Sequence, residues 1–147
     1  MLKLAYKRGI GVVRAVGEQL PFREGSFDFI LMTLTLCFLD KPEEAIAEAR
    51  RVLHRHGEFA VCIIPRNSRW GEEYQRRAKE GHPIYSHAHF YMISEVEEIL
   101  ERCSFKVVTV RATLSYPPHD RPRFEEPSGK PDGKGFVCLK AIKLMDS

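Results

Sequence analysis

The side chains best suited to chemistry lie in two clusters, and the first follows an apolar run near the start of the chain. Residues 27–39 are almost wholly apolar, and the hydroxyl and thiol groups of Thr33, Thr35 and Cys37 appear only toward the end of the run. A strand buried on both faces has such a continuous apolar pattern, which is typical of parallel sheets. Because these sheets bind ligands where their strands end, we expect a binding site from Thr33 onward.

The second cluster combines three histidines with two tyrosines: His82, Tyr85, His87, His89 and Tyr91. His87 and His89 would point the same way on a strand, which raises the hypothesis of a metal site. No cysteine or carboxylate nearby completes a ligand set, so we predict no metal.

Composition places the chain among ordinary globular domains. Its 147 residues fit one domain with a real core. The 23 basic and 20 acidic residues give a net charge of +3 and are scattered, so we expect no nucleic-acid partner. No apolar run approaches the roughly 18 residues that a membrane span needs, and no signal peptide is evident. We therefore expect no membrane partner and a cytoplasmic location.

The four cysteines are far apart and show no CxxC spacing. Each lies in an apolar or helical context, so we predict buried free thiols and a reducing compartment. They are Cys37, Cys62, Cys103 and Cys138.

The elements that must position both clusters alternate between strand and helix in the first half of the chain, which implies parallel strands. Asp40 and Glu43 have capping spacing, and Gly57 suits a left-handed turn at the helix end. The predicted strands are 10–16, 28–32, 58–64, 105–114 and 135–144, and the predicted helices are 1–8, 40–57, 67–82 and 94–103, with a long loop at 115–134.

Three segments carry a resemblance to a known family. Residues 16–22 (VGEQLPF), 27–30 (FDFI) and 51–57 (RVLHRHG) are similar to the motifs D-A-E-x-L-P-F, F-D-x-V and R-V-L-x-P-G-G. These motifs, in this order, are those of class I S-adenosylmethionine-dependent methyltransferases. The branch most similar to this chain acts on small molecules in ubiquinone and menaquinone biosynthesis. A further segment, 94–108, resembles the family's helix, Gly-Phe and sixth strand, with Ser104 where glycine is usual.

The resemblance implies an α/β, Rossmann-like methyltransferase fold. Its mostly parallel sheet has the strand order 3-2-1-4-5-7-6 and ends in a C-terminal antiparallel hairpin. Residues 1–147 would form a single, partial methyltransferase domain with a lid-like insert at 66–93. The family's glycine-rich E/D-x-G-x-G loop has no counterpart, and Gly9 and Gly11 precede a strand instead of following one.

Residues 1–8 resemble the helix that lies downstream of the glycine-rich loop in relatives. We therefore expect strands 1 and 2 of the fold to be missing, which would leave segment 10–16 without a strand neighbour. The edge of the following strand would then be open. An open edge favours pairing with another chain. Among the expected partners is therefore a second copy of this chain, which would form a homo-oligomer through this edge.

The resemblance also implies S-adenosylmethionine as the cofactor. Val16 stands where the family's acidic residue binds the adenine amino group, whereas the Gly17 N–H can still meet a ring nitrogen. Thr33 would lie beside the methionine part, and Leu34 and Cys37 would line the same crevice. For all five residues, plain core packing is the alternative.

The insert covers the substrate in the family, so its aromatic residues are candidates for substrate binding, with structural packing as the alternative. They are Trp70, Tyr74, Tyr85 and His87.

The resemblance implies methyl transfer to an unidentified small-molecule substrate by in-line displacement. Alignment and exclusion of water dominate such a reaction, so it requires no catalytic dyad, and no catalytic residue is assigned. The alternative is a catalytically incomplete methyltransferase-like domain that acts as a protein-association or regulatory module.

Overall fold

A four-stranded sheet with two helices packed on one face forms the centre of the protein. The structure is a computed structural model that describes residues 2–144. Its helices are α1 (Leu2–Lys7), α2 (Pro42–Val52), α3 (Arg69–Lys79) and α4 (Ile93–Arg102), and its strands are β1 (Phe27–Thr33), β2 (Leu53–Ile63), β3 (Phe105–Thr113) and β4 (Phe136–Lys143). Two short 3-10 turns, Leu36–Phe38 and Tyr85–His87, interrupt the connecting segments. None of the described helices has the length and apolar character that a membrane crossing requires.

The strand order β1-β2-β4-β3 matches the 4-5-7-6 part of the order that the family resemblance implies. β1 and β2 are parallel, whereas β4 is antiparallel to both of its neighbours, β2 and β3. Three of the four strands therefore run in one direction, but two of the three neighbouring pairs are antiparallel. The α/β fold with a C-terminal hairpin is confirmed. The description "mostly parallel" holds for strand direction and is wrong for pairing, because β4 inserts between β2 and β3.

The core lies between one face of the sheet and helices α2 and α4. Phe59, Val61 and Ile63 alternate along β2 toward this face, where they meet Ile46 of α2 and Leu100 of α4. The spacing of buried positions along both helices follows the helical repeat, which gives each helix one apolar stripe. Burial of these side chains is the main favourable contribution to folding.

The predicted strand at 10–16 does not form. The segment has only an isolated bridge between Val16 and Gln19, and Val13 and Val16 are at least half exposed. A strand needs a neighbour for its backbone groups, and none of the described residues supplies one. The outer edge of β1 is open for the same reason, and Phe29 and Leu31 on β1 expose more than half of their surface.

The prediction of four free thiols is wrong for two of the cysteines. Cys62 and Cys138 lie opposite each other on β2 and β4 and form a disulfide. Residues 76 positions apart in the sequence are brought together by sheet register, which the cysteine spacing alone did not reveal. Cys37 and Cys103 are free and half-buried. The argument for a reducing compartment therefore loses its basis.

Residues 54–57 bulge from the start of β2 instead of ending a helix. Phe27 pairs with Leu53 and Phe29 with Glu58, so the four intervening residues have no partner on β1. Gly57 is needed for close approach, because a Cβ there would lie 2.9 Å from the Asp28 carbonyl oxygen. At the other end, α2 begins without a side-chain cap from Asp40, and Pro42 occupies its first turn, where a missing N–H costs no hydrogen bond.

An ion pair on α2 holds the turn that carries the LPF motif. Glu48 Oε1 accepts a hydrogen bond from the Leu20 N–H at 2.8 Å. Arg51 donates to the carbonyl oxygens of Leu20 at 3.2 Å and Phe22 at 2.9 Å, and its Nε donates to Glu48 at 2.8 Å. The hydrogen bonds from Arg51 and Leu20 lower the pKa of Glu48 to about 2. The irregular segment before β1 is thus fixed to α2 by side-chain contacts.

Ser104 shows why glycine is usual at its position. It lies between α4 and β3 with a φ of 58°, in the left-handed region where a Cβ is unfavourable. Its carbonyl accepts a hydrogen bond from the Leu144 N–H at 2.8 Å, which fixes the turn. Serine at this position therefore carries a conformational cost that glycine would not.

We expect Ser104→Gly to raise the free energy of unfolding by about 0.5–1 kcal/mol, because glycine adopts this φ without strain but loses more entropy on folding. Urea denaturation measures the change. Ser104→Ala keeps the Cβ and is the control that should show no gain. Equal stabilisation by alanine would contradict the role of backbone strain.

We expect the Glu48 interaction to make stability depend on acid pH. Its folded pKa of about 2 is lower than the ordinary value, so the contribution is complete above about pH 4.5 and is lost as pH falls toward 2. Glu48→Gln should therefore show a smaller loss of stability than wild type across this window. Urea midpoints between pH 2 and 6 test this, with Glu44→Gln, an exposed glutamate on the same helix, as the control.

Candidate functional site

The chain reverses sharply where β1 ends, at Leu34. The Leu34 N–H donates to the Cys62 carbonyl oxygen at 3.0 Å, and Leu34 itself has a φ of 50°. A non-glycine residue in this region is strained, and such residues are concentrated at functional sites. The Thr35 hydroxyl donates to the Thr33 carbonyl oxygen at 3.0 Å and closes the turn. The following 3-10 turn inserts the fully buried Leu36 into the core.

The segment before α4 is tied both to this turn and to the end of β2. The His89 N–H donates to the Cys37 carbonyl oxygen at 2.7 Å, and the Arg66 N–H donates to that of Tyr91 at 2.8 Å. The Arg66 guanidinium also binds the Phe90 carbonyl oxygen and Glu95. Glu95 in turn accepts from the Met92 N–H at 2.6 Å. These contacts place residues 89–91 beside the end of β1.

A cavity of about 210 Å³ lies between these segments, at the carboxyl end of β1 and β2. Its walls are aliphatic and aromatic, and no charged side chain lines it. The lining residues are Leu34, Leu36, Cys37, Phe38, Ile63, Ile64, Tyr74, Ile84, Tyr85, Ala88, Phe90 and Tyr91. We call this the apolar cavity.

A column of rings forms one wall of the apolar cavity. Tyr85 stacks on His82 with centroids 4.2 Å apart, and it meets Tyr74 in a tilted arrangement with centroids 4.5 Å apart. His82 Nδ1 accepts the Ile84 and Tyr85 N–H groups at 3.3 and 3.4 Å, which holds the 3-10 turn. His82 therefore has a structural role.

A second, more open and more polar cavity adjoins the first. The two share Cys37, Phe38 and Tyr91, and the second is also lined by Leu39, Asp40, His87 and His89. We call it the polar cavity. Within residues 2–144, no group of three or more His, Cys, Asp or Glu side chains is arranged to hold a metal ion.

Burial keeps three of the polar groups in the apolar cavity protonated. Desolvation raises the pKa of the Cys37 thiol and of the Tyr74 and Tyr91 phenols. For Tyr74, the neighbouring Tyr85 raises the pKa further. These neutral hydroxyl and thiol groups can donate or accept hydrogen bonds, but none of them is set up as a strong base.

The structure brings four of the nine sequence-predicted site residues together in the apolar cavity: Leu34, Cys37, Tyr74 and Tyr85. His87 lies in the polar cavity. Gly17 lies against Leu39, which lines the polar cavity, since a Cβ on Gly17 would be 3.2 Å from the Leu39 side chain. Val16 and Thr33 are exposed and line neither cavity. Ligand binding by these residues stays a prediction.

Trp70 lines neither cavity, although its ring meets the cavity residue Tyr74 edge-on with centroids 6.2 Å apart. Its indole N–H donates to the Tyr116 carbonyl oxygen at 2.7 Å, and its ring packs on Gly135 so closely that a Cβ there would be 2.2 Å from the indole. Trp70 therefore joins α3 to the segment before β4, which is the packing alternative stated for it above.

Sequence reasoning missed much of the cavity wall. Phe38, Ile84, Phe90 and the end of β2 line the apolar cavity, although they had no signal beyond apolar character. Tyr91 and His89 belong to the cluster of histidines and tyrosines described in the sequence, and that signal could have identified them as candidate site residues. A wall built from four separate segments is visible only once those segments have been placed.

The geometry can be set beside known proteins. A family profile described as "Methyltransferase domain" matches residues 1–61. An uncharacterized protein from Mycobacterium tuberculosis is 37% identical over 144 residues, which are 96% of this chain and 50% of the relative. One from Methanocaldococcus jannaschii is 38% identical over 98% of this chain and 69% of its own length. The chain thus spans half the length of the mycobacterial relative that it matches.

A solved structure from Thermotoga maritima shares the fold. It is described as a "SAM-dependent methyltransferase, possible histamine N-methyltransferase" and superposes with a TM-score of 0.92 at 34% identity. The match covers 98% of this chain and 69% of the Thermotoga chain.

We expect Gly135→Ala to destabilise the protein by about 1–3 kcal/mol, the usual cost of overpacking, because the added methyl displaces Trp70. Trp70 is the sole tryptophan of the sequence, so its fluorescence should shift to longer wavelength. Gly129→Ala in the same loop, where a Cβ meets only ordinary contacts, is the matched control. An unshifted spectrum with unchanged stability would contradict this placement of Trp70.

Proposed function

The chain belongs to the class I S-adenosylmethionine-dependent methyltransferases, and from this premise we propose that it methylates a small-molecule acceptor. The observation that carries the proposal is the apolar cavity at the carboxyl end of the parallel pair β1 and β2. Ligands of open α/β sheets bind outside this end of the strands. The cavity is enclosed enough for a small molecule and has no charged lining that would recruit a nucleic acid or an acidic protein.

The residues present fit part of a cofactor site. The Gly17 N–H makes no hydrogen bond to any residue between 2 and 144, so it is open to a ring nitrogen of adenine. Leu34 and Cys37 offer apolar contact where β1 ends. Bound S-adenosylmethionine would supply an activated methyl group. Val16 cannot accept from the adenine amino group, so adenine recognition here rests on backbone and apolar contact.

This chain's own residues would align the acceptor and exclude water. The aliphatic and aromatic walls of the apolar cavity disfavour water beside the reacting atoms. The neutral Tyr74, Tyr91 and Cys37 groups can orient an acceptor by hydrogen bonds. No carboxylate or histidine lines the apolar cavity, so a proton released by the acceptor would pass to the polar cavity, where His87, His89 and Asp40 lie.

The open edge of β1 favours the alternative, a protein-association module. Its outer backbone groups have no strand partner among residues 2–144, and Phe29 and Leu31 are more than half exposed. Such an edge is a template for pairing with another chain, including a second copy. The two functions are separable, because only the methyltransferase requires cofactor binding.

We expect calorimetry to detect binding of S-adenosylmethionine and of its demethylated product, with a matching rise in melting temperature. Leu34→Gly keeps the left-handed backbone but removes a wall of the site. It should weaken binding about fivefold, equivalent to roughly 1 kcal/mol of apolar contact.

Leu114→Gly is the matched control, because Leu114 has a φ of 63° and lies at the end of β3, outside both cavities. Its binding should equal that of wild type. No heat and no thermal shift with either ligand would overturn the enzyme proposal for this chain. A concentration-dependent dimer in light scattering would then support the association module.

A further inference from the structure

We propose that the methyl acceptor is a small aromatic molecule with a cationic side arm, its ring in the apolar cavity and its arm at Asp40 in the polar cavity. The inference rests on the proposed function, because it names the substrate class of that site. It follows from three features: the lining and size of the apolar cavity, the arrangement of its rings, and the charge at the adjoining cavity.

The apolar cavity selects a compact body without charge. Its lining contains no charged side chain, and burying an unpaired charge among such residues is strongly unfavourable. Its volume of about 210 Å³ also limits size. A dry engineered cavity of roughly 150 Å³ takes up benzene, so this one suits a single substituted ring.

The ring wall favours an aromatic body over an aliphatic one of the same size. Tyr85 has a stacked neighbour, His82, at 4.2 Å and a tilted one, Tyr74, at 4.5 Å, and two rings so close to its centre occupy its two faces. The edge of the Tyr85 ring is therefore what remains for the cavity, because its hydroxyl already interacts with that of Tyr74. Ring edges carry positive partial charge and attract the negative face of another aromatic ring, which an aliphatic ring does not offer.

The polar cavity supplies the charge selection. Asp40 lines it and makes no hydrogen bond or ion pair with any residue between 2 and 144. The nearest cation in sequence, Lys41, is paired instead with Glu44 at 2.9 Å. The other groups with ionisable side chains in this lining are Cys37, His87, His89 and Tyr91, and the Cys37 and Tyr91 pKa values are raised, which keeps both neutral.

The two cavities together fix the shape of the acceptor. They share Cys37, Phe38 and Tyr91, so a ring in one leaves its substituent at the mouth of the other. A short arm with an ammonium group would then reach the unpaired Asp40 carboxylate. An anionic arm would meet that carboxylate as a like charge, and a neutral arm would gain nothing from it.

The experiment compares four probes on the full chain at pH 8 and low salt. The probes are 2-phenylethylamine, 2-phenylethanol, phenylacetate and 2-cyclohexylethylamine, and their dissociation constants are measured by NMR titration without cofactor. We expect 2-phenylethylamine to bind about three- to fivefold more tightly than 2-phenylethanol, as for an exposed ion pair, and phenylacetate to bind worst. We also expect 2-phenylethylamine to bind about two- to tenfold more tightly than 2-cyclohexylethylamine.

Two variants assign these preferences to residues. Asp40→Asn should abolish the preference for the ammonium over the alcohol, while Asp132→Asn, the same charge change on the exposed 115–134 loop, should not. Tyr85→Leu should abolish the preference for the aromatic ring, with Tyr6→Leu on the exposed face of α1 as control. Melting curves check that each variant folds. If Tyr85→Leu does not fold, the probe series on the wild-type protein still tests the proposal.

Several results would overturn the proposal. Phenylacetate binding as tightly as 2-phenylethylamine would do so, as would equal affinity for the phenyl and cyclohexyl amines. If Asp40→Asn weakened the binding of S-adenosylmethionine and left the affinities for the probes unchanged, Asp40 would belong to the cofactor site. The assignment of Asp40 to the acceptor would then be wrong. Calorimetry with the cofactor distinguishes failure of this inference from failure of the proposed function. If the cofactor binds but the probes show no preferences, only this inference is overturned. If the probes show the preferences but the cofactor does not bind, the proposed function is overturned.

Discussion

The parallel pairing of β1 and β2 is the constraint on which the site depends. Thr33 pairs with Cys62, and the hydrogen bond from Leu34 to Cys62 extends the pairing by one residue. Two carboxyl ends are thereby held at the same edge of the sheet. The strained turn at Leu34 is tolerated because β2, which is paired on both sides, holds the preceding strand in place.

Polar side chains then attach the irregular segments to this scaffold. Glu48 and Arg51 hold the turn before β1, and Arg66 with Glu95 holds the segment at 90–92. A loop with little buried apolar surface has few ways to offset its loss of conformational entropy. Hydrogen bonds between charged side chains and its backbone provide one, and they also define where the loop lies.

The sequence predicted what local pattern determines. The alternation of apolar strand and amphipathic helix placed β1, α2 and α4, and the family resemblance predicted the order of strands. Neither the pattern nor the resemblance predicted the Cys62–Cys138 disulfide, because that pair depends on the register between β2 and β4. Gly57 was predicted to form a left-handed turn at a helix end, and this prediction was wrong. Glycine is needed there because the Asp28 carbonyl oxygen approaches closely, which is a tertiary contact.

The candidate site divides in the same way. The buried-strand pattern predicted a site from Thr33 onward, the family resemblance implied Leu34 and Cys37, and both of these line the apolar cavity. Trp70 was chosen as an aromatic residue of the insert, and its partners Tyr116 and Gly135 are far away in sequence. The branch of the family within which the chain falls stays a prediction, since acceptor identity depends on walls that no local motif encodes.

The anchoring of α3 has a consequence for how molecules enter and leave. Ser68 caps its start, and Trp70 joins the same end to the segment before β4. The far end passes into Gly81, with a φ of 83°, and then into the largely exposed residues 82–89. If segment 66–93 opens, we expect it to open near Gly81, between the anchored start of α3 and the hydrogen bond from the His89 N–H to Cys37, and we expect the stacking of His82 on Tyr85 to oppose that opening.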